Sequence, residues 1–371
     1  MWKNVFIIFN QACNQEDINM QIDFHHATTY VIARIAGFEQ PEAETIAYAS
    51  QYVDDATSEG TVYFDNRAVY NRISSAHKML DYRNTKALAN HQVWLAFHFL
   101  PGNGGLAAGQ NPEGKFIQKI VCRPDSPVAQ DMVHDTIVNQ STTYALHRLG
   151  IVMHIYADTW AHQGFAGVLH RVNDVENAEE RGNTKVFGGA LKRFLYNALD
   201  DAIPPLGHGR ANVFPDMPFL SWRYRNGHEE LVERDNTEDF CTAANKMCIA
   251  MQRFIEKDAR ADVPGIDDNN MAKMRNLFAG IKEKNGDVRH QQWLQIIRDG
   301  EFSFGSETLN YHPRGAQSWK AKALGTSHDL PVHKYDENFL LSDWKLFHDA
   351  IQAHRFHVIH DVLPKYGICA A

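Results

Sequence analysis

The most regular alternation of polar and apolar positions lies in the stretch Leu149–Gly167, LGIVMHIYADTWAHQGFAG. His154, Asp158 and His162 follow one another at intervals of four residues, and most positions between them are apolar. Because positions i and i+4 share one face of an α-helix, the spacing places two imidazoles and a carboxylate on one ridge. We expect this ridge to point into a packed interior, on a helix that begins near Val128 and ends near His162.

A shorter helix is predicted near the N-terminus. Asp23 is suited to cap it, so that His25 and His26 lie in the first turn, and Gly37 is suited to end it. We favour His25 as the inward-facing imidazole because it shares a face with Thr29 and with apolar residues that follow. The alternative is that either histidine is exposed to solvent.

A second helix is predicted to begin at Pro41, a residue tolerated in a first turn, and to end at Asp54 and Asp55. Two carboxylates at the C-terminal end of a helix oppose its macrodipole. A bound cation nearby would remove that penalty. The alternative is that both aspartates begin a solvated loop.

Two less regular segments each contribute one further histidine. The segment 63–90 is expected to be partly helical and contains His77. The segment Leu206–Tyr224 is rich in Gly and Pro and contains His208. Long loops without regular structure are often functional, so both histidines are candidate ligands, with a surface or structural role as the alternative.

These patterns predict a mainly α fold: a multi-helix single domain with a His/Asp metal site between helices, long loops and at most a small β-hairpin. We expect residues 1–19 to be an N-terminal extension and residues 20–371 to form the α-helical metal-binding domain. We see no internal repeat and no low-complexity tract in the sequence.

Composition narrows the classes of function. The 371 residues carry a formal net charge of −8, which argues against stable binding to a nucleic-acid backbone. The five cysteines form no CxxC pair and are odd in number, which argues against a disulfide framework. No apolar run approaches the ~18 residues of a membrane span, and no signal peptide is evident, so we expect a cytoplasmic protein. The chain also lacks the GxGxxG, Walker, GxSxG and HExxH motifs.

Histidine is unusually frequent, with 20 residues, and this excess fits metal chemistry. A buried carboxylate is costly unless it is paired, hydrogen-bonded or bound to a metal, so the predicted interior ridge needs partners. Imidazole and carboxylate together suit zinc, with iron or manganese as alternatives, and two or three ions are expected. The candidate ligands are His25, Asp54, Asp55, His77, His154, Asp158, His162 and His208. Asp55 or Asp54 would bridge the ions or accept a proton from a metal-activated water that attacks a phosphoester.

This layout of an early His, a helix-end Asp and a His154-x3-Asp158 helix resembles the superfamily of bacterial zinc-dependent phospholipases C and fungal single-strand-specific zinc nucleases. The resemblance implies a tri-zinc site built from His and Asp on helices. It assigns the zinc-binding, water-activating aspartate to Asp54 or Asp55 and the central pair to His154 and Asp158. The implied substrate is a phosphoester small molecule or a phospholipid.

The stretches DFHHATTYVIARIAGF, IAYASQYVDDA, YADTWAHQGFAG and GHGRANVFPDMP are also similar to a bacterial protein family with no assigned activity, over most of residues 20–360. Two alternatives stay open. One is an HD-type metal phosphohydrolase or oxygenase, in which Val53-Asp54 stands where that group has His-Asp. The other is a non-catalytic helical interaction or immunity-like protein with a structural metal.

Overall fold

Helices make up just over half of the residues that the structure describes, in agreement with the predicted mainly α fold. The computed structural model describes residues 22–76, 91–182, 186, 211 and 214–369. Its α-helices are α1 Thr29–Ala36, α2 Gln40–Asp55, α3 Ile117–Ile120, α4 Pro127–Val138, α5 Ala145–Ala161, α6 Asn236–Glu256, α7 Asp268–Gly280, α8 Gly286–Arg298, α9 Trp319–Leu324 and α10 Asp343–His357. Three π-helices, Asp23–Thr28, His91–Leu95 and Val358–Val362, accompany them. The predicted extension, residues 1–19, lies outside the described residues.

Helix α5 is the centre of the fold, and α2, α6 and α10 pack around it. All of its residues from His147 to Ala161 are buried. Helix α2 approaches it most closely at Gly150, where an added Cβ would lie 2.3 Å from the carbonyl oxygen of Ile46 and 2.8 Å from Cβ of Ala49. Only a hydrogen atom fits there, so Gly150 allows α2 and α5 to pack backbone against backbone.

The two predicted N-terminal helices are present, but the first begins as the π-helix Asp23–Thr28, so the expectation that Asp23 caps it is wrong. Local sequence explains the other ends. Helix α1 ends at Ala36, and Gly37 follows it with a φ of 113°, in the region that only glycine adopts without strain. Helix α2 begins with a reciprocal capping box, in which the side chains of Glu39 and Glu42 each bond to the other's backbone N–H. It ends at Asp55, as predicted.

The prediction of a single long helix from Val128 to His162 is wrong, because two helices occupy this stretch. Helix α4 starts behind Ser126, whose hydroxyl accepts the backbone N–H of Ala129, and it ends at Val138. The residues between α4 and α5, NQSTTY, include side chains that compete for backbone hydrogen bonds and favour turns. The apolar periodicity resumes only at Ala145.

The expectation of at most one small β-hairpin is also wrong. The strands β1 Gly60–Tyr63 and β2 Val69–Arg72 form one antiparallel hairpin. A second, three-stranded antiparallel sheet has the order β3-β4-β5, with β3 Val175–Glu180, β4 Ser221–Asn226 and β5 Leu231–Asp235. Strand β4 alternates buried Trp222 and Tyr224 with exposed Arg223 and Arg225, which is the period of two of a β-strand. The sequence predicted a loop here because the preceding residues are rich in Gly and Pro.

Helix α5 is enclosed by the fold but has only 17 residues. Among the described residues, no helix combines the length and the apolar character needed to cross a membrane.

Candidate metal centre

Three separate segments bring the predicted ligands to one place beside α5. The Nε2 atom of His25, in the first π-helix, lies 3.2 Å from Oδ1 of Asp158. One turn earlier on α5, Nε2 of His154 lies 3.4 Å from Oδ2 of Asp158. Asp54, in the last turn of α2, places its Oδ1 3.8 Å from the same His154 nitrogen. The sequence-based grouping of His25, Asp54, His154 and Asp158 is therefore observed in the structure.

A fifth side chain, His98, completes the cluster and was missed by the sequence interpretation. Its Nδ1 atom lies 3.4 Å from Oδ2 of Asp158, 3.8 Å from Oδ1 of Asp54 and 3.3 Å from Nε2 of His154. The only signal in the sequence is its position between two large apolar residues, Phe97 and Phe99, both of which are buried. The π-helix that precedes it removes the 3.6-residue periodicity that would have revealed its direction.

The hydrogen bond made by Nε2 of His98 shows that Nδ1, the nitrogen that faces the cluster, is an acceptor. Nε2 lies 3.0 Å from the carbonyl oxygen of Ser75, and because a carbonyl can only accept, Nε2 carries the hydrogen and donates it. In a neutral imidazole, Nδ1 then holds a lone pair, which points at two aspartate side chains. A backbone carbonyl bonded to the far nitrogen is the usual way in which proteins orient a metal-binding histidine.

The donor atoms form two overlapping groups that share His154. One group is His25, Asp54 and His154, the other is His98, His154 and Asp158, and within each group the donor atoms lie within 4.8 Å of one another. Metal bonds of about 2.1 Å in tetrahedral geometry separate neighbouring ligand atoms by about 3.4 Å. The three separations among His98, His154 and Asp158, which are 3.3, 3.4 and 3.4 Å, match this value, so these residues fit a first-row divalent metal ion.

Burial sets the protonation of the cluster. The pKa of the Asp54 carboxyl is raised well above its usual range, first by burial and then by the negative charges of Asp158, Asp55 and Asp216. Burial lowers the pKa of His154 to about 3 and holds that of His25 well below its usual range. The imidazoles are therefore neutral near pH 7, which is the form that binds metals.

Two predicted ligands lie next to the cluster but outside the two groups. His162 follows the last residue of α5, and its Nδ1 donates a hydrogen bond of 2.8 Å to the carbonyl oxygen of His98. It lies 3.6 Å from Oδ2 of Asp158 and stacks on Phe99. Asp55 accepts a hydrogen bond of 2.5 Å from the hydroxyl of Tyr311. His162 therefore supports the backbone of a candidate ligand, and Asp55 bonds to the C-terminal half of the chain.

Two further predicted ligands, His77 and His208, lie outside the described residues. A third carboxylate that the prediction did not include, Asp216, is buried near Asp54, whose pKa it helps to raise. It belongs to a short 3-10 turn, Phe214–Asp216, that follows the segment containing His208. The two aspartates of the donor groups come from α2 and α5, and the turn adds the negative charge of Asp216 nearby.

Comparison with other proteins places the chain in a family. No curated protein and no solved structure matches it. Residues 20–362 match DUF6765, a family of unknown function, and this range includes His25, Asp54, His98, His154 and Asp158. Because the match covers most of the 371 residues, the chain belongs to DUF6765.

Proposed function

We propose that this protein is a metal-dependent phosphoester hydrolase, with zinc as the first candidate metal and iron or manganese as alternatives. The observation that supports the proposal is the convergence of two buried aspartates and three neutral imidazoles, with donor atoms 3.2 to 3.8 Å apart. When bound, the metal would supply a Lewis acid and an activated water, chemistry that suits hydrolysis of a phosphate ester. The substrate class that we propose is a phosphoester small molecule or a phospholipid.

In this scheme the protein residues hold the centre in one geometry and manage one proton. His98 is oriented by its bond to the Ser75 carbonyl, and His162 in turn holds the carbonyl of His98. Asp54, whose pKa is raised by burial and neighbouring carboxylates, is the group suited to give up a proton when a cation binds and to accept one from water.

The test combines metal quantification with an activity assay on the purified full-length protein. We expect two or three equivalents of zinc and metal-dependent hydrolysis of bis(p-nitrophenyl) phosphate. His154→Ala and Asp158→Ala are expected to lose metal and activity together. His348→Gln, which changes a buried histidine on α10, is the matched control and is expected to keep both. Retention of metal by both alanine variants would contradict the assignment of the site.

A second function is favoured by one observation, the nearly complete burial of the donor set. The side chains of His25, His154 and Asp158 have no exposed surface, and Asp54 and His98 expose only 5% each. Closed sites are typical of structural metals, whereas catalytic sites keep an open position. A metal that raises stability while the protein hydrolyses no phosphoester would favour a non-catalytic helical protein. One or two irons would instead favour the HD-type alternative.

A further inference from the structure

The π-helix that carries His25 is held from its opposite side by α8. His25 and His26 are adjacent, but they contact different helices: His25 faces Asp158 on α5, and Nδ1 of His26 lies 2.9 Å from Nε2 of His290 on α8. All six residues of the π-helix are buried. The position of His25 in the candidate metal centre therefore depends on contacts at both faces of this short π-helix.

The strongest contact to α8 is an enclosed ion pair. Nε of Arg289 lies 2.7 Å from Oδ2 of Asp23, and its Nη2 lies 3.2 Å from Oδ1, so the guanidinium and the carboxylate are joined by two hydrogen bonds. Arg289 has no exposed surface, and Asp23 exposes 1%. The third nitrogen of the guanidinium, Nη1, donates to the carbonyls of Glu283 and Lys284. Because separation would leave buried charges uncompensated, this pair has one favourable geometry.

The turn has little local support of its own. No side chain caps its N-terminus, and its geometry is wider than that of an α-helix. The hydroxyls of Thr28 and Thr29 bond to the carbonyls of Asp23 and Phe24, five residues earlier in each case, which matches the spacing of a π-helix. These bonds define the shape of the turn, but they do not fix its orientation relative to α5.

We infer that Arg289 is a positioning residue for the metal centre: through Asp23 it holds the π-helix so that His25 reaches the site. The inference rests on the metal centre of the proposed function and is independent of whether that centre hydrolyses a phosphoester. Arg289 lies on the far side of the π-helix from Asp158 and acts only through His25. Partners that orient metal ligands typically contribute about 10- to 100-fold to metal affinity.

The experiment measures the affinity of the metal-free, full-length protein for Co²⁺ by competition with a chromophoric chelator, together with the Co²⁺ absorption spectrum. Arg289→Met is expected to weaken Co²⁺ binding by about 10- to 100-fold and to give the altered spectrum of His25→Ala. The double variant His25→Ala/Arg289→Met is expected to bind no more weakly than His25→Ala alone, because the two changes remove the same ligand. A purely structural role of Arg289 would not produce this non-additivity.

Arg72→Met is the matched control, because Arg72 also pairs through two hydrogen bonds with an aspartate, Asp329, at a place away from the π-helix. It is expected to leave Co²⁺ affinity and spectrum unchanged. Circular dichroism shows whether each variant is folded. Arg289→Lys keeps the positive charge but cannot form two parallel hydrogen bonds with Asp23, so it is expected to lose less Co²⁺ affinity than Arg289→Met. If Arg289→Met does not fold, Arg289→Lys is used in its place.

Three results would overturn the inference, and each can be distinguished from a mere absence of phosphoester hydrolysis. If folded Arg289→Met, or folded Arg289→Lys in its place, bound Co²⁺ like the unaltered protein, or if the losses from Arg289 and His25 multiplied fully, Arg289 would not act through His25. If the unaltered protein bound no Co²⁺, the metal centre itself would be refuted, and the inference with it. An absence of phosphoester hydrolysis with intact Co²⁺ binding would refute only the enzymatic proposal.

Discussion

His98 and Asp158 come from different segments of the chain, and their side chains meet with Nδ1 of His98 3.4 Å from Oδ2 of Asp158. The hydrogen of the His98 ring is on the other nitrogen, bonded to Ser75. A lone pair and a carboxylate oxygen at this distance repel each other unless a proton or a metal ion lies between them. The relationship therefore makes His98 the most informative residue for testing the centre.

We predict that His98→Ala lowers metal affinity by at least about 100-fold, at the upper end of what loss of an orienting partner costs, because it removes a direct donor. Isothermal titration with zinc measures the change. His91→Ala is the control, since His91 is half-buried in the same segment and belongs to neither donor group. Equal zinc affinity in the two variants would remove His98 from the ligand set.

We predict that Gly150→Ala reduces both stability and metal affinity. Its Cβ would lie 2.3 Å from the carbonyl oxygen of Ile46, so α2 and α5 must separate, and Asp54 must move away from His154. Overpacking of this kind typically costs about 1–3 kcal/mol. Urea unfolding of the metal-free protein and zinc titration measure the two effects.

The control for that prediction is Gly280→Ala in the last residue of α7, where an added Cβ meets nothing within 4 Å. This substitution is expected to leave zinc affinity unchanged and to leave stability unchanged or slightly raised. A Gly150→Ala protein as stable as the Gly280→Ala protein would show that the close approach of α2 and α5 is not needed.

We predict that the metal-free protein loses stability as the pH falls from about 6.5 to 4. Burial lowers the pKa of His348 and of His354 to about 3 and that of His290 to about 4, whereas histidines in the unfolded chain titrate near 6.5. In this window the unfolded state binds more protons, so acidification favours unfolding. The raised pKa values of Asp23 and Asp54 act in the opposite direction, but these two carboxyls are fewer than the buried imidazoles.

Urea unfolding at a series of pH values measures this slope. His354→Gln keeps a donor for the carbonyl of Ala96, which Nε2 of His354 contacts at 3.0 Å, but it cannot be protonated. The free energy of unfolding of this variant is therefore expected to fall less steeply with acidification. The difference in slope corresponds to up to about one proton fewer taken up on unfolding. A slope identical to that of the unaltered protein would show that His354 does not contribute.

The sequence predicted the parts of the centre that follow from helical periodicity. His154 and Asp158 could be paired because both lie in one helix, where spacing determines direction. Asp54 and Asp55 could not be distinguished, because adjacent residues on a helix point about 100° apart and only the packing of α2 on α5 decides which faces inward. That packing depends on Gly150, a contact between segments far apart in the sequence.

The errors have similar physical causes. His98 was missed because it follows a π-helix, whose spacing hides the direction of the side chain. The three-stranded sheet was missed because β3, VENAEE, and β4, SWRYRN, are rich in charged and polar residues. Trp222 and Tyr224 fill the inner face of β4, but their alternation is visible only over one short strand.

The wide turn at Asp23–Thr28 has a consequence for the histidine doublet that it contains. A slip of the chain by one residue would rotate the turn and bring the imidazole of His26 towards the place of His25. The rotation is less than the about 100° of an α-helix, because a π-helix has more residues per turn. Such a slip would separate Asp23 from Arg289, which lies 266 positions further along the chain. The choice between two neighbouring, chemically identical side chains is thus made by a contact with α8, in the C-terminal half of the chain.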